Sequence, residues 1–364
     1  MAQQTSQDYF VYVGTYTHSD SEGIYVYRLD GATGALEYSS KASGVEHPSF
    51  VEIHPNGKYL YAVNELNEYD GKASGSVTAF YIHQDTGELS FLNKRATGGG
   101  APCHLSVDAT GKFLLVANYG GGSVVAFPIG SDGRLGEASD FVQHQGSSIN
   151  PQRQMEPHAH AIRIDPGNRY AFSPDLGLDK ILIYRLDAEN GTLTPNVQPW
   201  VRVHPGAGPR HFDFHPNGKF AYVINELDST FTAFAYDGAA GTLTEFQTLS
   251  TLPEDFDGTS HCADVHVHPN GKFLYGSNRG HDSIAICAID EETGRLTSIG
   301  YESTQGKTPR NFGLNPDGTF LFAANQQTDT IVTFAIDTET GALNATGHVT
   351  EVPMPVCVKL LACR

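Results

Sequence analysis

Short apolar runs entered from one polar turn and left through another recur along the chain, as in Tyr59 to Val63, Phe113 to Ala117, Phe220 to Ile224 and Phe320 to Ala324. Their length and their aromatic and aliphatic content predict central strands of buried sheets. No stretch of useful length carries a helical period.

The turns between the runs are of two kinds. Asp-x-x-x-Gly-x-Leu, or a close variant, occurs at Asp30 to Leu36, His83 to Leu89, Ile129 to Leu135, Asp187 to Leu193, Asp237 to Leu243, Asp290 to Leu296 and Asp337 to Leu343. Its glycines lie about 50 residues apart, the spacing of four-stranded propeller blades. A tight hairpin explains the phrase, since Gly supplies a positive φ and the acidic side chain bonds the turn backbone. The second phrase, Pro-Asn-Gly-Lys or a relative followed by an aromatic residue, appears at Pro55, Ala109, Pro166, Pro216, Pro269 and Pro316. It is one copy short, and circular closure accounts for the difference. Pro355 to Leu361 reads as a lone inner strand, and Tyr9 to Val13 with Ile24 to Leu29 supplies further strands of the same blade. The expected fold is all-β, a single seven-bladed β-propeller over residues 1–364, with four antiparallel strands per blade. Its ring closes where N- and C-terminal strands share a blade, which removes exposed sheet edges.

With strands named A to D from the axis outward, both stereotyped hairpins (A-to-B and C-to-D) fall on one face. The segments of irregular length, Asn64 to Ser76, Leu252 to His261 and Gly136 to Pro157, then fall on the other, where function is expected. The starts of A strands bring His47, His104, His158, His160, Arg210, His211, His261 and Arg310 to that mouth. The ends of B strands bring Asn64, Glu65, Asn118, Asp175, Asn225, Glu226, Asn278, Arg279 and Asn325. The repeated asparagines read first as groups that satisfy backbone, and His54, His215 and His268 as scaffold at the plain-face turns. Glu226, Arg279, Arg210 and the His158/His160 pair break the repeat. A cluster of charge in a concave mouth is the usual signature of a site.

Composition narrows the partners. A formal net charge of −18 disfavours nucleic acid and anionic membrane, whose phosphates demand clustered Lys and Arg. Five widely spaced cysteines without a CxxC pair suggest reduced structural thiols. Met1 to Phe10 has neither a basic nor an apolar leader segment, and no stretch approaches a membrane span, so a cytoplasmic location is expected. Gly-x-Ser-x-Gly and His-Glu-x-x-His are absent, and Gly306-Lys307-Thr308 is no P-loop because Tyr301 stands where its first glycine belongs.

Tyr12-Val13-Gly14-Thr15-Tyr16, Pro55-Asn56-Gly57-Lys58 with Tyr61-Ala62-Val63-Asn64-Glu65, Pro157-His158-Ala159-His160, Gly208-Pro209-Arg210-His211-Phe212 and Val223-Ile224-Asn225-Glu226-Leu227 together resemble the lactonase family of seven-bladed propellers. That family includes propeller-type 6-phosphogluconolactonases and fungal 3-carboxy-cis,cis-muconate lactonizing enzymes. The resemblance spans essentially the whole chain. It implies hydrolysis of a small anionic sugar lactone, foremost 6-phosphogluconolactone of the pentose phosphate pathway. By the same similarity the catalytic set falls on His158 or His160, Arg210 and Glu226. The second arginine falls on Arg279, with Arg310 as competitor.

Ring opening needs an activated water, a stabilised oxyanion and a clamp for the remote anion. Glu226 or a neutral imidazole is expected to take the proton, Arg210 to face the oxyanion, and Arg279 or Arg310 to hold the anion. Glu65, His104 and Asn225 complete the expected substrate contacts. No cofactor is expected. A Ca²⁺ site on Glu65, Asp175, Glu226 and Asp264 is disfavoured by the arginines in the same mouth. A muconate-type cycloisomerase is the alternative chemistry. A non-catalytic scaffold is a further alternative, although a single tryptophan, Trp200, leaves no WD-type repeat.

Overall fold

A computed structural model of the chain describes residues 7–363, so part of the segment read for a leader, residues 1–6, lies outside them. Seven four-stranded antiparallel sheets form the blades. The closing blade runs outward from Pro355–Ala362 through Tyr9–Thr15 and Gly23–Leu29 to Leu36–Ser43. Its two innermost strands pair from Tyr9 opposite Ala362 to Thr15 opposite Pro355, which is the closure the mismatched turn counts require.

Adjacent blades are locked at the plain face by the repeated turns. Gly241 has φ +67°, and a Cβ there would stand 2.4 Å from the ring of Tyr170 at the start of the preceding blade's B strand. The same contact recurs between Gly191 and Phe113, Gly294 and Phe220, and Gly341 and Phe273. The glycine thus does more than relax the hairpin, because it makes room for a neighbour's aromatic ring. Buried tyrosines bolt the seam: Tyr12, Tyr61, Tyr222 and Tyr275 donate to the carbonyls of Gly87, Gly133, Gly294 and Gly341 at 2.9–3.1 Å. His54, His215 and His268 reach the carbonyls of Gly111, Gly271 and Gly318 at 2.7–2.9 Å, in keeping with a scaffold role.

The fourth blade departs from the pattern in a way that positions the site. Its A strand shrinks to Arg163–Ile164 against a B strand at Tyr170–Asp175. Pro174 accepts from the His160 amide at 2.9 Å but has no N–H to return. The thiol of Cys103, from the neighbouring blade, donates to the His160 carbonyl instead, at 3.3 Å.

Candidate active site

A cavity of about 310 Å³ opens on the variable face and is lined by Glu65, Cys103, Tyr119, Arg153, His160, Glu226, His261, Arg279 and Arg310. Glu65, Cys103, His160 and Arg310 continue into an inner recess that also meets Tyr16, Ser49, Arg210 and His211. Ring closure therefore gathers residues from well-separated blades around one opening.

Glu226 is the centre of the charge network. It follows the last residue of its B strand, and its amide bonds the Gly208 carbonyl at 2.7 Å, which sets it beside Arg210 at the start of the A strand. Its Oε1 takes Arg153 Nη2 at 2.7 Å, and Oε2 takes Arg279 Nη2 at 2.9 Å and Arg210 Nε at 3.0 Å. Burial pushes its carboxyl up, but Arg279 and Arg210, with His160 and Arg153, outweigh burial and hold it well below the ordinary range. A carboxylate engaged by three guanidiniums is a poor proton acceptor, which weighs against Glu226 in the role of base.

His160 fits that role. It is buried, its Nε2 lies 3.9 Å from Glu226 Oε2, and burial followed by the charge of Arg210 holds its pKa well below the usual imidazole value. Its neighbour His158 does not line the cavity. The His158 ring stacks on Tyr119 with centroids 4.5 Å apart, its Nδ1 faces the Tyr119 carbonyl at 3.0 Å, and its amide donates to Asp175 at 2.8 Å.

The arginines differ in what they have left to offer. Arg210 is almost wholly buried, spends Nε on Glu226 and Nη1 on the Ala263 carbonyl, and is lowered to about 10 by burial and then by Arg279 and Arg310. Arg279 bonds Glu226 and the carbonyls of His261 and Cys262. Arg310 lies over the Tyr16 ring at 5.4 Å and makes no hydrogen bond or ion pair among the described residues. Glu65 accepts from Tyr16 Oη at 2.8 Å and from Ser49 Oγ. Cavity and recess together hold four guanidiniums against two carboxylates, an excess of two positive charges in a chain of net −18.

Two expected substrate contacts lie elsewhere. Asn225 is buried and spends its amide on Thr230 and Thr232 of the adjacent strand, at 2.8 and 2.9 Å, as the other repeated asparagines do with their own neighbours. His104 lies deeper in the channel, its ring 4.3 Å from that of Phe50, outside the cavity lining. The carboxylates weighed for Ca²⁺ do not converge. Asp175 pairs with His144 at 2.7 Å, and Asp264 with His211 and His266 at 2.6 and 3.0 Å. Among the described residues no group of three or more His, Cys, Asp or Glu is arranged to hold a metal ion.

The family model of the lactonases, seven-bladed β-propellers, matches residues 10–360. The chain belongs to this family. It is 40% identical to the 6-phosphogluconolactonase of Bacillus subtilis, over 97% of this chain and 98% of that one. It is 37% identical to the 6-phosphogluconolactonase of Formosa agariphila, over 84% and 86%. The solved structure of a Pseudomonas aeruginosa periplasmic gluconolactonase superposes with a TM-score of 0.92 at 34% identity, covering 98% of this chain and all of that one.

Within this lactonase scaffold, Arg153, Tyr119 and Cys103 line the cavity without having been expected there. Arg153 comes from the 144–157 loop rather than a blade strand, so no repeat marks it. The available signal was that it is the one arginine in the long Gly136 to Pro157 segment. The adjacent Gln154 is fully buried and bonds the Leu176 carbonyl and Asp179 at 2.8 and 2.7 Å. Asp179 also binds the amides of Gly206 and Gly208 at 2.7 and 2.8 Å, which fastens the loop to the blade.

Proposed function

We propose that this lactonase hydrolyses 6-phosphogluconolactone to 6-phosphogluconate in the pentose phosphate pathway, in the cytoplasm. The observation that carries the reading is a buried imidazole, His160, in a cavity bordered by four guanidiniums, with burial and then Arg210 lowering its pKa well below the usual value. His160 takes a proton from water as its oxygen attacks the lactone carbonyl. Arg310, with its donors uncommitted, and Arg210 behind it stabilise the oxyanion. Collapse breaks the bond to the ring oxygen, and the imidazolium returns its proton to that leaving group, giving the open hydroxy acid. Arg279, on the outer wall, adds positive charge that draws the anionic substrate toward the opening. Five unpaired thiols, four of them buried, are consistent with a reducing compartment.

Titration of acid released from 6-phosphogluconolactone tests the activity, with 3-carboxymuconate as the substrate of the alternative cycloisomerase. His160→Gln is expected to lower turnover at least about 100-fold. His158→Gln is expected to stay within a few-fold of wild type. Equal losses in the two variants, or turnover of the muconate alone, would reject the assignment.

A further inference from the structure

We propose that Arg153 on the 144–157 loop recognises the substrate's phosphate and makes this loop the element that selects phosphorylated over unphosphorylated lactones. The inference rests on the lactonase reading above and deepens it.

The cavity has two chemically distinct ends. Its inner end, shared with the recess, holds His160 and Arg310, and the reacting carbonyl belongs there because the neutral base is there. Its outer end holds Tyr119, Arg153, Glu226, His261 and Arg279, the Glu226 carboxylate there being offset by the guanidiniums that share it. A phosphate dianion is among the costliest groups to strip of water, so it favours the wetter end, where its partner keeps some solvent. The side chain of Arg153 is 35% exposed, against 3% for Arg210 and 14% for Arg279.

The donors of Arg153 suit this task. Its Nη2 serves Glu226 Oε1 at 2.7 Å and Tyr119 Oη at 3.3 Å, which fixes the plane of the guanidinium. Nε and Nη1 make no hydrogen bond among the described residues, so their N–H groups, on different sides of the guanidinium plane's outline, remain free to donate singly to phosphate oxygens. Arg279, by contrast, has spent Nε and Nη2 on His261, Cys262 and Glu226. The loop is preorganised as well. Ser148 and Gln154 are both tied to Asp179, and His144, at its start, is held between Asp175 and Tyr184 at 2.7 and 2.9 Å. Little ordering entropy therefore remains to be lost on binding.

The test compares kcat/KM for 6-phosphogluconolactone and for glucono-1,5-lactone in wild type, Arg153→Gln and Arg153→Lys. Inhibition by inorganic phosphate is measured alongside. Losing these charge-assisted contacts should lower kcat/KM for the phosphorylated lactone about 30-fold more than for the unphosphorylated lactone in Arg153→Gln, and weaken phosphate inhibition in parallel. Arg153→Lys, which keeps the charge but not the anchored planar group with its separate donors, should fall between. An equal loss on both lactones means that Arg153 acts only through Glu226 and overturns the inference, as does no loss on either. If Arg153→Gln does not fold, wild-type strength of phosphate inhibition in Arg153→Lys overturns it. Wild-type protein that opens neither lactone defeats the underlying reading, whereas one that opens both with no phosphate preference defeats only this inference.

Discussion

Replacing Glu226 with Gln keeps the shape of the side chain and deletes the only carboxylate among three guanidiniums. Its contacts are 2.7 Å to Arg153, 2.9 Å to Arg279 and 3.0 Å to Arg210, and only 7% of the Glu226 side chain is exposed. Removing one partner of a buried ion pair costs about 3–5 kcal/mol, because the surviving charges stay desolvated without a counter-charge. The glutamine amide also turns two N–H groups toward donors. Arg153, a third exposed, contributes little to this figure, since solvent screens it. Arg210 and Arg279 dominate, and the expected loss at pH 7 is about 3–5 kcal/mol, read by urea unfolding with circular dichroism. The pH dependence adds a second constraint. The folded pKa of Glu226 is depressed well below 4.5, so its contribution is complete above the unfolded value and disappears as pH falls through the lower folded one. The gap between wild type and variant should hold from pH 7 to pH 5 and close only in more acid solution. A loss under about 1 kcal/mol at pH 7, the scale of a surface pair, would refute the reasoning, as would a gap that closes between pH 7 and 5.

A neutral His160 as base predicts that kcat/KM is flat through neutral pH and falls only well below the ordinary imidazole value of 6.5, since protonation destroys the base; an acid limb centred at or above 6.5 in a pH–rate profile would assign the proton transfer to another group. At the blade seam, Gly241→Ala places a Cβ 2.4 Å from the Tyr170 ring at φ +67°, whereas Gly218→Ala, at φ +69°, meets nothing within 4 Å. Urea unfolding should show about 1 kcal/mol lost at Gly218 from strain alone and at least about 1 kcal/mol more at Gly241, and equal losses would mean that the glycine does not seat its neighbour's ring.

Much of the site was readable because the repeat converts sequence position into spatial position. Once the two hairpin phrases are assigned to one face, strand starts and strand ends must meet at the other, and His160, Arg210, Glu226, Glu65, Arg279 and Arg310 all meet there. Choosing between His158 and His160 was beyond such reasoning. Residues two apart in a regular strand share a face, but here the A strand is reduced to Arg163–Ile164, and the chain ahead of it turns one imidazole onto Tyr119 and the other into the cavity. Asn225 shows the opposite failure. One position before Glu226, it points its amide into the blade, because the pleat reverses direction at each residue.

The order of hydrophobic and polar residues, with glycines at a fixed interval, determined the strands, the number of blades, the closure and which face would be functional. These follow from local turn chemistry and from the need to bury every sheet face. Only the folded ring decided which partners each charged group meets. Three arginines from different parts of the chain share the Glu226 carboxylate, which fixes it as an anion and leaves Arg310 with free donors. Burial, and then the charge of Arg210, lowers the pKa of His160 well below the ordinary imidazole value. Charge state and free hydrogen-bonding capacity depend on distances of a few ångströms between residues far apart in the chain, and no one-dimensional pattern encodes those distances.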